Sequence, residues 1–132
     1  MTFDRINPPE LAAPRGFSHA VSTTRARTVY LAGQTALDGD ARIVGGDVVS
    51  QFEQALANLL AALAAAGGSG SDLATVTIYI VDMDDYLAHA REIGAVWRRL
   101  VGTDYPAMAG IGVSRLWDVE ALVEVQGVAV LE

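Results

Sequence analysis

"LATVTIYIVD", residues 73–82, decides the fold. Val76, Ile78 and Ile80 fall on one side and Thr75, Thr77, Tyr79 and Val81 on the other, the two-residue period of a β-strand. Both sides carry apolar or β-branched residues, so the strand belongs in a sheet covered on at least one face. Upstream, from Asp47 to about Ala66, the residues Val48, Phe52, Ala55, Leu56, Leu59, Leu60 and Leu63 recur at three- and four-residue spacing. Ser50, Gln51, Glu53, Gln54 and Asn58 fall on the opposite side, which predicts an amphipathic helix. Asp47 in its first turn suits the helix dipole, and "GGSGS" (67–71) stops it. Downstream, a second helix is predicted from about Asp84 to Leu100. Tyr86, Leu87, Ala90, Ile93, Trp97 and Leu100 point inward and Arg91, Glu92, Arg98 and Arg99 outward.

Farther out, a lead-in holding Pro8, Pro9 and Pro14 precedes "FSHAVSTT" (17–24) and "TVYLAGQ" (28–34). These two strands are expected to form a hairpin through "TTRAR" (23–27). "DGDARIVGGD" (38–47) is turn-rich, with room for one short strand at Arg42 to Val44, and "AMAGIGV" (107–113) and "ALVEVQGVAVL" (121–131) complete the chain as strands. The order strand, strand, helix, strand, helix, strand, strand implies an α+β fold with two helices on one face of a mixed sheet. Two helices cannot also cover the second apolar face. Burial against other copies of the chain, as a closed homo-oligomer, is therefore expected.

Composition narrows the function. The 132 residues, 52% hydrophobic, suit one domain spanning 1–132. No stretch reaches the roughly 18 uninterrupted apolar residues of a membrane span, so no membrane partner is expected. "MTFDRINPPELAAP" lacks both a basic start and an apolar core, so a cytoplasmic location is the expectation. With no cysteine, thiol catalysis, disulfides and cysteine metal sites are excluded. All nine basic residues are arginine. Without lysine the chain forms no Schiff base of its own, anchors no pyridoxal phosphate and completes no Walker A loop. A net charge of −7 with scattered cations argues against nucleic acid as a partner.

Among candidate site residues, Glu124 in "LVEVQGVAVL" shares its strand face with Leu122, Gln126, Val128 and Val130. That face is either an exposed edge or a cleft in which a partly desolvated carboxylate acts as general acid or base; periodicity does not choose. Ser18 and His19 are adjacent on a strand and point to opposite faces, which disfavours a nucleophile–base dyad. His19 and His89 are the only histidines, and no metal site is expected from them. Asp82, Asp84 and Asp85 are explained by capping the second helix, and "GGSGSD" by stopping the first.

"GFSHAV", "VYLAGQ", the pattern "Q…AL.NL.A.L.AAG", "LATVTIYIVDM", "YPAM", "GVSRL" and "LVEVQGVAV" occur in one order along the chain. From about Pro14 to Leu131 the sequence resembles the reactive intermediate deaminase family, the RidA-like enamine/imine deaminases of the YjgF group once named L-PSP endoribonucleases. The resemblance implies a chorismate-mutase-like α+β protomer and a homotrimer packed sheet to sheet around a central barrel, with three clefts between subunits. It also implies hydrolysis of small imines or enamines to a carbonyl compound and ammonia, without metal or organic cofactor. The family's last-strand glutamate, which positions or activates water, falls on Glu124. Its "SGQ" falls on Ala32, Gly33 and Gln34, so a backbone group is kept at Gly33 and a hydroxyl lost at Ala32. Its pocket-closing aromatic falls on Phe17, and Gly110 offers a backbone group to a ligand.

Met108 departs from that pattern. Family deaminases carry an arginine directly after Pro-Ala, which clamps the substrate carboxylate through two parallel hydrogen bonds. A thioether does not. Arg115 stands too far along to replace it within one strand, and the register of the second helix leaves open whether Arg91 reaches the cleft. Two functions follow from the resemblance: a divergent deaminase with weak preference for carboxylate-bearing substrates, or a non-catalytic trimer binding a small metabolite or partner in the same cleft. The older ribonuclease name finds little here, in an acidic chain with no convincing histidine pair.

Overall fold

The computed structural model describes residues 2–132. Along the chain run β1 (Phe3–Ile6), β2 (Ala20–Thr23), β3 (Arg27–Gln34), α1 (Val48–Ala65), β4 (Leu73–Ile80), α2 (Met83–Ala88), α3 (Ala90–Leu100), β5 (Ala107–Gly112) and β6 (Val123–Leu131). The main sheet has the order β3-β6-β4-β5, antiparallel except for the parallel β4–β5 pair. It is the mixed sheet of an α+β fold, with its helices on one face. Val76, Ile78 and Ile80 of β4 are buried beneath them, as the alternation in residues 73–82 requires. Phe52, Leu56, Leu59 and Leu63 of α1 and Ile93, Val96 and Trp97 of α3 join the same core, together with Val123 and Val125 of β6. α1 is long and apolar enough to match a membrane span by length and composition, yet here it is the core helix of the sheet.

Several expectations are corrected. Asp47 lies just outside α1 as its cap, its carboxylate accepting from Ser50 N at 2.8 Å, rather than in the first turn. Gln51, assigned to the solvent side, is buried. Its amide nitrogen donates to the carbonyls of Gly45 and Glu120, each at 3.1 Å, and its amide oxygen accepts from Leu122 N at 2.8 Å. A polar residue on the rim of the apolar stripe has become a staple between α1 and the start of β6. Periodicity assigns it by polarity and is blind to loops that bring unpaired backbone groups to it.

The expected hairpin is also absent. β2 pairs with β1, which the proline-rich lead-in concealed, and β3 pairs with β6. The link between β2 and β3 is pulled away by Arg25, which donates to Asp72 at 2.7 Å and stacks on Phe3 of β1 at 4.6 Å. No strand forms at Arg42 to Val44. Asp38 Oδ1 accepts from the backbone of Asp40 and Arg42, curling the segment into a turn with one bridge, Leu37 to Ile43. The second helix breaks at His89 into α2 and α3, where His89 Nδ1 donates to the Asp85 carbonyl at 2.8 Å. The break shifts the helical phase, so Leu87, expected inward, is 61% exposed.

Replacing Gln51 by leucine keeps the volume and leaves Leu122 N and two carbonyls unpaired; we expect a loss of about 2–4 kcal/mol in urea unfolding. An unchanged midpoint would show that the staple is dispensable. At the helix break, the Asp85 carbonyl bond and then the Asp85 and Glu92 charges raise the His89 pKa from 6.5. Its contribution to stability is thus fully present below pH 6.5 and lost as pH rises through the raised value. An NMR titration of His89 should give a midpoint above 6.5.

Candidate functional site

β6 separates two environments by parity. Val123, Val125, Gly127, Ala129 and Leu131 are buried on the helix side, and Glu124, Gln126 and Val128 project from the other face. They stand opposite Tyr79, Thr77 and Thr75 of β4, and Tyr79 OH donates to Gln126 Oε1 at 3.0 Å. None of the helices of this chain covers that face, where Tyr30 of β3 is 82% exposed. Glu124 is half-buried there, and its carboxylate has no hydrogen-bond or ion-pair partner among the described residues.

What half-buries it is β3. The β3–β6 register slips between Leu31 and Gln34, and in that irregular stretch a Cβ built on Gly33 would lie 2.9 Å from Glu124 Cδ and nearer still to Oε2. Glycine at 33 is therefore what lets the carboxylate rest against the β3 backbone. Ala32 beside it is exposed.

A second group lies elsewhere. Met108 and Gly110 of β5 pair with Val76 and Ile78 of β4, which places them on the helix side. Phe17 is carried to them by Ser18, whose backbone N donates to Pro106 O at 2.8 Å and whose hydroxyl donates to Tyr105 O at 2.7 Å. Phe17, Met108 and Gly110 line one cavity with Gly16, Ile78 and Tyr86. It adjoins a larger one of about 590 Å³ that reaches α3, sharing Met108, Gly16, Ile78 and Tyr86 as its wall. Burial pushes the Tyr86 hydroxyl up to about 12, so it remains a neutral donor at any physiological pH.

The residues singled out in the sequence thus form two clusters: Glu124 with Gly33 and neighbouring Ala32 on the open face, and Phe17, Met108 and Gly110 on the helix side. Within one chain the sheet stands between them. Arg91, whose reach the sequence left open, lines the larger cavity, as do Arg98, which the sequence assigned only to the outward side of its helix, and Arg15, which sequence reasoning passed over. The seven-residue spacing of Arg91 and Arg98 was the available signal. Arg115 folds onto its own loop, donating to the carbonyls of Leu116 and Trp117 at 3.1 and 3.2 Å. Ser18 and His19 are each engaged by backbone, His19 Nε2 lying 2.8 Å from Ala12 O.

Residues 8–131 match the family described as Endoribonuclease L-PSP. The chain belongs to that family. A RutC family protein of Pyrococcus horikoshii is 35% identical over 105 residues, 79% of each chain. A 2-iminobutanoate/2-iminopropanoate deaminase of Dermatophagoides farinae is 31% identical over 129 residues, 96% of this chain and 95% of that one. A crystal structure of a protein of unknown function of the conserved Rid family from Yersinia pestis superimposes with a TM-score of 0.89 at 36% identity, over 99% of this chain and 100% of that one. These agree with the fold derived above and with a RidA-like function at the level of the family.

The contact between Gly33 and Glu124 is open to direct test. In a Gly33→Ala crystal structure the added methyl should turn the Glu124 carboxylate off β3. A side chain left in place would show that glycine is not required there.

Proposed function

We propose that the protein hydrolyses small reactive imines or enamines in clefts of a homotrimer, each cleft joining Glu124 and Gly33 of one protomer to Phe17, Met108 and Gly110 of another. One observation carries this reading. Glu124 is an unpaired carboxylate on a face its own chain leaves bare, and Phe17, Met108 and Gly110 lie behind the sheet, so the two halves meet only between copies. The deaminase named among the relatives supports the reaction class.

Glu124 accepts a proton from water as the water oxygen bonds to the C=N carbon, and returns that proton to the nitrogen as the C=N π bond opens. Collapse of the resulting carbinolamine breaks the C–N bond and releases ammonia and the carbonyl compound. Water enters once and ammonia leaves once, so no oxidant, reductant or cofactor is needed for balance. Backbone groups at Gly33 and Gly110 hold the ligand, and Phe17 and Met108 supply an apolar wall. Because a thioether replaces a guanidinium at Met108, a carboxylate directly beside the C=N loses a charge-assisted hydrogen bond of about 1.5–3 kcal/mol, roughly 10- to 100-fold in affinity. A non-catalytic binding trimer is the second reading, favoured by the apolar side chains at Ala32, Phe17 and Met108, which leave Glu124 as the cleft's one ionisable group among the assigned residues.

Ammonia release from freshly generated imines, with and without a carboxylate, distinguishes the two. Glu124→Gln should lower the rate by about 100-fold or more, and Met108→Arg should raise it about 10- to 100-fold on 2-imino acids. Rates equal to buffer for every imine would leave only the binding reading. Light scattering should give the mass of three chains, and a stable monomer would dissolve the shared cleft.

A further inference from the structure

Nine arginines are the chain's only basic side chains besides histidine, and most are tied down. Arg5, Arg25, Arg27, Arg99 and Arg115 each donate to a carbonyl or carboxylate of the chain. Among the described residues Arg15, Arg42, Arg91 and Arg98 make no such side-chain bond. Three of those four, Arg15, Arg91 and Arg98, line the single cavity of about 590 Å³ between β5 and α3, and no acidic residue lines it. In a chain of net charge −7 this is a local inversion of charge.

The helix sets the arrangement. Arg91 and Arg98 are two turns apart on one face of α3, about 10 Å along its axis. Gly94 lies between them, and a Cβ there would come within 3.2 Å of Arg98 Nη1. The bare glycine lets that guanidinium lie back along the helix toward Arg91, the direction in which helical side chains lean. The floor beneath is apolar, formed by Ile93, Trp97 and Met108, and the Trp97 indole N–H is buried without a partner. Cations at the rim above an apolar floor suit one kind of molecule.

We infer that this cavity binds a small apolar molecule ending in a carboxylate, whose charge is held by Arg91, Arg98 and Arg15 and whose body lies against Met108 and Trp97. Met108 is the wall shared with the cavity of Phe17 and Gly110, whereas the three arginines line only the far side. A substrate reacting near Phe17 and Gly110 therefore reaches them with a carboxylate several bonds from its C=N, past an apolar spacer. As a statement about substrate, this rests on the deaminase reading; as a binding site, it does not.

Isothermal titration calorimetry with 3-phenylpropanoate and its neutral primary amide tests the site without catalysis. The carboxylate should bind the wild-type protein about tenfold or more tightly than the amide, with the difference shrinking as salt rises. In Arg91→Gln/Arg98→Gln the two ligands should bind within about twofold of each other, and in Arg42→Gln, which removes a charge outside the cavity, the preference should persist. Equal binding of acid and amide to the wild type, or a preference kept by the double variant with its folding confirmed by circular dichroism, would overturn the inference. The Glu124→Gln variant separates the two claims. If it binds the carboxylate normally while no imine is hydrolysed by the wild type, the site stands and the deaminase reading falls; hydrolysis without the carboxylate preference gives the reverse.

Discussion

The helices of this chain cover one face of a four-stranded sheet, and that constraint sorts almost every residue of interest. In β4, even-numbered residues from Val76 to Ile80 are buried and odd-numbered ones face outward, and hydrogen-bonded neighbours inherit the division. Tyr79 brings Glu124 of β6 to the open face, and Val76 brings Met108 of β5 to the covered one. Shifting β6 by one residue would exchange its faces and bury the Glu124 carboxylate beneath the helices, and shifting β5 would turn Met108 to the open face. The separation of Glu124 from Met108 is therefore as firmly fixed as the core itself.

Within that frame, the placement of Glu124 depends on two unobtrusive positions. Gln51 holds Leu122, two residues before it, to the body of α1, and so fixes where β6 begins. Gly33, at the irregular end of β3, leaves the hollow into which the carboxylate settles. Neither residue has reactive chemistry, yet one sets the origin of the strand and the other the space around Glu124. Glu124 owes its exposure to strand parity and its orientation to these two.

The elements legible in the sequence were those whose stabilisation is periodic: α1, β4 and β6 run close to where three-, four- and two-residue spacings put them. What escaped was held by specific side chains. β1 is four residues long and is fastened by Arg5, which donates to the carbonyls of Tyr105 and Ser71 at 3.1 and 3.0 Å, and by Arg25 stacking on Phe3 at 4.6 Å, an arrangement without a period. The break at His89 hid because α2 and α3 are each amphipathic and only their relative phase changes. For the site, the resemblance supplied residue types and places but not faces. That Phe17, Met108 and Gly110 share a cavity apart from Glu124 required the pairing of β5 with β4, and that Arg15 joins Arg91 and Arg98 required the Ser18–Ala107 bridge that brings the lead-in to β5.

The same division bears on why residue 108 tolerates an apolar side chain. Met108 is half-buried and packs on the core beside Ile78 and Trp97. A guanidinium at that position would be drawn partly out of water and would need an anion to compensate it. Thioether flexibility instead lets methionine close the gap between β5 and α3 at no electrostatic cost. Positive charge is carried at the cavity's rim, where Arg91 and Arg98 of α3 are exposed. Screening weakens each of these exposed charges relative to a buried clamp, but three of them around one mouth, with no carboxylate among its lining residues, preserve the sign of the field. In this chain the wall at β5 is apolar while the cationic character of the cavity resides on its helix and lead-in.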